Sequence, residues 1–185
     1  MKSHIPSSSL LTLYSSLILP YLNYGILAWG NTHKFLLDRL LLLQKKSLRI
    51  ICNTNARSHT NQLFLQNKIL KIEDLYSFQL GQFMYNYNNN TLPSVFNRMF
   101  PKNQSFHSYP TRQSNEFHLP LLRTLLAKNT FIYTGPQFWN SLGDDIKNSS
   151  TLNAFKSNLK SALLQSYDTP PHKLIVVKRS HYYFI

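Results

Sequence analysis

Residues 31–52, NTHKFLLDRLLLLQKKSLRIIC, constrain the chain most, because they run without Gly or Pro and are dense in leucine. Asn31 or Thr32 can cap a helix here, Asp38 lies early, and Lys45, Lys46 and Arg49 lie late, matching the helix dipole. The pattern predicts one long helix with Leu36, Leu40, Leu43, Ser47 and Ile51 as its core face. At 100° per residue, Lys34, Arg39, Lys45, Lys46 and Arg49 occupy an arc of about 140°. Phe35, Leu41 and Leu42 interrupt that arc, so the helix is expected to pack sideways too, with lysine stems lying over apolar neighbours. A solvated surface helix is the plainer reading of the same charges.

The rest of the composition supports a folded, basic chain. With 185 residues, 43% of them hydrophobic, it can bury a core as one domain or two small ones. Twenty Lys and Arg against seven Asp and Glu leave a formal charge of +13, which favours a polyanionic partner, nucleic acid first and an anionic membrane surface second. The single cysteine, Cys52, excludes an internal disulfide framework and a cysteine-based zinc site. Residues 10–29 approach the length of a membrane span, but Ser15, Ser16, Pro20 and Asn23 interrupt them, so a buried helix of a protein without a membrane partner is expected. No signal peptide is expected, which leaves nucleus and cytoplasm open.

In chain order, Ser7 to Ser9 can cap a first helix that Pro20 kinks or restarts. A polar loop carrying Arg57 and His59 follows the long helix, and Thr60 can cap a short helix. A helix is expected over 72–87, with Glu73 and Asp74 at its positive end. The stretch 91–113 reads as a helical turn and an extended linker, with a boundary near Pro101. Beyond it, 117–119 and 130–133 could pair as a short hairpin, Pro136 could open a short helix through Trp139, and a last helix carries Leu152, Phe155, Leu159 and Leu163 on one stripe.

No catalytic set emerges. Gly143-Asp144-Asp145 resembles a metal-binding aspartate pair, but a polymerase dyad needs a tight turn between apolar strands and a third carboxylate, so a turn before the last helix is the better reading. The histidines lack zinc-site spacing, and no nucleophile elbow, phosphate loop or dinucleotide fingerprint occurs, so no metal or cofactor is expected. What remains are cations beside rings and amides, including Arg57, and Arg112 beside Tyr109; such groups hold phosphates while rings stack on bases. For Tyr109 and Trp139, packing in a small core is the stronger reading.

LYSSLILPYLNYGILAWGN (13–31) followed by LDRLLLLQKKSLRII resembles the region downstream of the polymerase palm in non-LTR retrotransposon reverse transcriptases of the jockey-like, LINE type. HSYPTRQ, LRT, YTGPQFWNSL and FKSNLKSALL look like landmarks of the C-terminal part of the same proteins. The resemblance covers roughly 10–167. It implies a mainly α fold: a thumb-like helical bundle over 1–100, a linker over 101–113, a small α+β subdomain over 114–167, and an atypical tail over 168–185. It further implies that the fingers and palm, with the catalytic aspartates, are missing partners, so that this chain alone is inactive and holds RNA or DNA template-primer. Lys34, Arg39, Lys45, Lys46, Arg49, Arg57 and Arg112 are the candidate nucleic-acid contacts. Two departures stand out: Gly143 where the family usually has Pro, and the ending DTPPHKLIVVKRSHYYFI.

The same residues support two other readings. The chain could be a relic or interaction module whose apolar helices pack on a missing N-terminal partner, as the leucines over 36–43 suggest. Alternatively, 10–29 could attach to a membrane surface.

Overall fold

The computed structural model describes residues 5–106, 109 and 111–167. The described residues are mainly helical, in the order α1 (Ser7–Leu13), a π-helical segment (Tyr14–Ile18), α2 (Leu19–Asn23), α3 (Ile26–Trp29), α4 (Lys34–Ile51), α5 (Asn61–Gln66), α6 (Ile72–Asn88), α7 (Leu125–Lys128), α8 (Phe131–Ser141), α9 (Asp144–Lys147) and α10 (Leu152–Gln165). Two short 3-10 turns, Ser94–Phe96 and Asn103–Ser105, lie between α6 and α7.

The described residues divide into two compact units, one of residues 5–79 with 160–167 and the other within residues 80–159. The boundary expected near Pro101 therefore falls inside the second unit. Proline placed in a loop reads as a linker, but Phe100 beside it is 3% exposed, with its ring edge-on to Tyr87 at 4.9 Å.

In the first unit, Pro20 explains the broken N-terminal helix. Proline has no N–H to donate to the carbonyl four residues back, so the turn ahead of it widens. The Leu19 N–H accordingly reaches Tyr14 O, five residues back. No helix among the described residues is long and apolar enough to cross a membrane.

Helix α4 forms where expected, yet it is turned by roughly 70° from the predicted orientation at 100° per residue. Its buried stripe is Leu37, Gln44, Leu48 and Ile51, whereas Leu36 and Leu43 are exposed. Of the expected core face, Ile51 alone is buried; Leu40 and Ser47 are half-buried. Leucines stand on nearly every side of this helix, so hydrophobicity alone does not choose a face. Gln44 does. Its amide nitrogen donates to the Tyr14 hydroxyl at 3.0 Å and to Leu70 O at 3.3 Å, and its oxygen accepts from the Ile72 N–H at 2.8 Å. A buried amide is tolerated where its partners converge, and they converge on this side of α4. Around them Tyr14, Leu48, Ile51, Phe64, Ile69 and Tyr167 form one apolar cluster.

In the second unit the expected hairpin is not formed. Thr130 precedes α8 as its cap position, and 131–133 are helical. Among the described residues the only bridge is antiparallel, between Lys102 and Phe117. Phe117 needs no partner strand, because Asn140 clamps it: its N–H donates to Asn140 Oδ1 at 3.1 Å and its carbonyl accepts from Nδ2 at 2.8 Å. Pro136 does not open a helix but sits inside α8, buried with Gly135, Phe138 and Trp139. Trp139 is 6% exposed and stacks on Phe155 at 6.0 Å, as the packing reading expects, while Tyr109 is exposed, against that reading. Gly81 lets α6 meet α10 closely, since a Cβ there would lie 2.5 Å from Leu159 Cδ2. The stretch 168–185, including the apolar run 174–177, lies outside the described residues.

Replacing Gln44 with Leu leaves the Ile72 N–H and the Tyr14 hydroxyl without their partner, and each such buried group costs roughly 1–3 kcal/mol. Gln44→Leu is expected to lower stability by about 3 kcal/mol in urea denaturation with an unchanged m-value. A loss below about 0.5 kcal/mol would mean that this amide does not hold the first unit together.

Candidate nucleic-acid interface

Five of the seven candidate contacts stand on α4, and the structure sorts them into two rows. Lys34, Lys45 and Arg49 adjoin the buried stripe. Lys34 donates to Asp38 at 2.6 Å and lies 3.9 Å from Glu73, so its charge is largely answered within the protein. The Arg49 guanidinium donates through Nε and Nη2 to Ser58 O, at 3.2 and 3.1 Å, which ties the loop after α4 back onto the helix. That loop carries Arg57, exposed to solvent. Lys45 is half-buried.

Arg39 and Lys46 form the outer row. Both are exposed, and neither makes an ion pair among the described residues. They are seven residues apart, hence about 10 Å along the axis at 1.5 Å per residue. A phosphate backbone meets such free cations with its own charge uncompensated, whereas Lys34 would first have to leave Asp38. Arg112 is also exposed but belongs to the second unit.

Lys71, just before α6, is a further cation with a defined setting. The Lys71 ammonium lies 4.0 Å from the centre of the Tyr167 ring and 5.9 Å from that of Phe64. Burial holds Lys71 below the usual lysine range, Asp74 opposes this, and Lys45 adds to it. Lys71 thus sits among the rings of Phe64 and Tyr167, a setting that only the fold could reveal, because these residues belong to different segments.

Tyr167 anchors the end of the described chain. Its hydroxyl donates to Asp74 Oδ2 at 2.6 Å and accepts from the Lys71 N–H at 2.9 Å. Burial, and after it the Asp74 carboxylate, push the phenol well above the usual tyrosine range. Burial also raises Tyr14, opposed by the hydrogen bond from Gln44.

Asp144 and Asp145 open the one-turn helix α9 and are exposed, Asp144 lying 4.0 Å from Lys147. Among the described residues no group of three or more His, Cys, Asp or Glu side chains could hold a metal. The Cys52 thiol, half-buried, accepts a hydrogen bond from Asn67 Nδ2 at 3.2 Å.

No protein-family model, curated protein or solved structure matches this chain. Its functional reading therefore rests on its own residues and on the motif resemblance.

Because the folded phenol is raised above the unfolded value of about 10, its contribution to stability is complete below that pH and declines as pH rises toward the folded value. Tyr167→Phe is expected to cost roughly 1–3 kcal/mol at neutral pH and to make the alkaline loss of stability shallower. Urea midpoints measured between neutral pH and pH 11 check this, and an unchanged alkaline slope would remove Tyr167 from that account.

Proposed function

We propose that this chain is the thumb and post-thumb portion of a non-LTR retrotransposon reverse transcriptase, which binds the backbone of RNA or DNA without sequence preference and has no polymerase activity alone. The observation that carries the reading is the ordered succession of family-like motifs from LYSSLILPYLNYGILAWGN to FKSNLKSALL. The charge of +13 supports it independently, since a chain with so few acids attracts polyanions. The free cations Arg39 and Lys46 are the leading phosphate contacts, with the exposed Arg57 on the loop after α4 and the half-buried Lys45 as further ones. Arg49 acts first as the tie to Ser58, so its removal weakens binding partly through the loop.

Binding of a fluorescent duplex by the full chain is expected to fall by about 0.9 log units per log unit of salt for each phosphate neutralised. Arg39→Ala and Lys46→Ala should each reduce that slope by about one contact, and Arg49→Ala should also lower thermal stability. Absence of binding at low salt defeats the reading, and slopes unchanged in both outer-row variants would move the interface off α4.

A further inference from the structure

The turned orientation of α4 leaves a second pattern on its outer side. Leu36, Arg39, Leu43, Lys46 and Ile50 follow one another at alternating spacings of three and four residues, the spacing that keeps side chains on one seam of a helix. All five are exposed, Leu43 and Ile50 at 58% and 63%. Phe35 and Leu42 widen the strip on one flank, at 62% and 55% exposure. At the Ile50 end it runs into a cavity of about 230 Å³ lined by Leu10, Leu13, Leu17, Ile18, Ile50 and Ile51. The seam therefore alternates apolar and cationic positions and ends in an apolar socket.

We propose that this seam is the docking site for an acidic amphipathic helix of a separate polypeptide, one that alternates apolar and Glu or Asp residues at the same spacing and places a bulky apolar residue in the socket. Charge complementarity selects this occupant. In a second copy aligned parallel, Arg39 would face Arg39 and Lys46 would face Lys46. Reversed, the copy would press these cations against leucines without a counter-charge. A lipid surface fits poorly as well. A helix lying in the interface keeps its cations at the flanks, whereas here Arg39 and Lys46 sit in the middle of the apolar strip and would be drawn under with it. Asp38, the acid of α4, points away from the strip and pairs with Lys34. Docking covers the leucines and answers both free charges at once, with apolar anchors at the i, i+3 and i+4 spacing that helix recognition uses.

The inference is separable from nucleic-acid binding, because Leu36, Leu43 and Ile50 offer nothing to a phosphate. The test uses the full chain and two labelled helical probe peptides with leucine at one seam position and either glutamate or lysine at the other, read by fluorescence anisotropy. The glutamate probe should bind and the lysine probe should not. Leu43→Ser should weaken the glutamate probe by about tenfold while leaving duplex affinity unchanged, since a buried apolar anchor carries much of such an interface. The paired variant Arg39→Glu with Lys46→Glu should reverse the preference between probes. All three positions are exposed, so unchanged circular dichroism is expected in each variant. Failure of the glutamate probe to bind, or a preference that survives charge reversal, overturns the proposal. So does a dimer in sedimentation, or binding to phosphatidylserine vesicles, that Leu43→Ser abolishes, because the strip would then serve a second copy or a membrane.

Discussion

The first unit depends on one buried amide. Gln44 is 2% exposed and reaches two other segments at once: Tyr14 at the start of the π-helical turn, and the stretch leading into α6 through the Leu70 carbonyl and the Ile72 N–H. Buried polar groups are costly unless satisfied, so a satisfied one permits few arrangements of the elements around it. Apolar packing of Leu48, Ile51, Phe64 and Ile69 supplies the mass of the cluster. That mass would suit several rotations of a leucine-rich helix; the amide admits far fewer.

The second unit uses the same device on an aromatic core. Asn140 takes both backbone groups of Phe117 and so lets an extended segment sit against helices without a sheet. Tyr85 packs on Phe155 at 4.6 Å and donates its hydroxyl to Ser149 O at 2.9 Å, satisfying a polar tip at the edge of an apolar cluster. In both units side-chain amides and phenols fix geometry that hydrophobic burial leaves open.

The consequence for function lies on the outer side of α4. Turning Leu37, Gln44 and Leu48 inward brings Arg39 and Lys46 into solvent together with Leu36, Leu43 and Ile50. Cations without internal partners are available to phosphates, and the same cations set among exposed leucines are available to carboxylates on a helix. The inner cations play a different part. Arg49 holds a loop, and Lys34 is answered by Asp38.

Local chemistry was legible in the sequence wherever neighbours along the chain decide the outcome. The long helix at 34–51, the break at Pro20, the acids opening α6 and the amphipathic last helix all follow from breakers, dipole-matched charges and period, although the N-cap of α4 is His33 rather than Asn31 or Thr32. The alternation of cations along α4 was equally visible, so five candidate contacts could be placed on one helix. Three things could not be read that way. Which face of α4 is buried depends on Tyr14, Leu70 and Ile72, up to thirty positions away. That Phe131 and Ile132 are helical rather than extended goes with Asn140 clamping Phe117 from twenty-three residues away. That the Lys71 ammonium lies over the Tyr167 ring needs two distant segments to meet. The sequence by itself determined the long helices, their charge and the buried stripe of α10, because these arise from interactions within a few residues. Only the tertiary structure decided which side of the leucine-rich α4 meets solvent, because that choice is made by long-range hydrogen bonds whose partners no local pattern names.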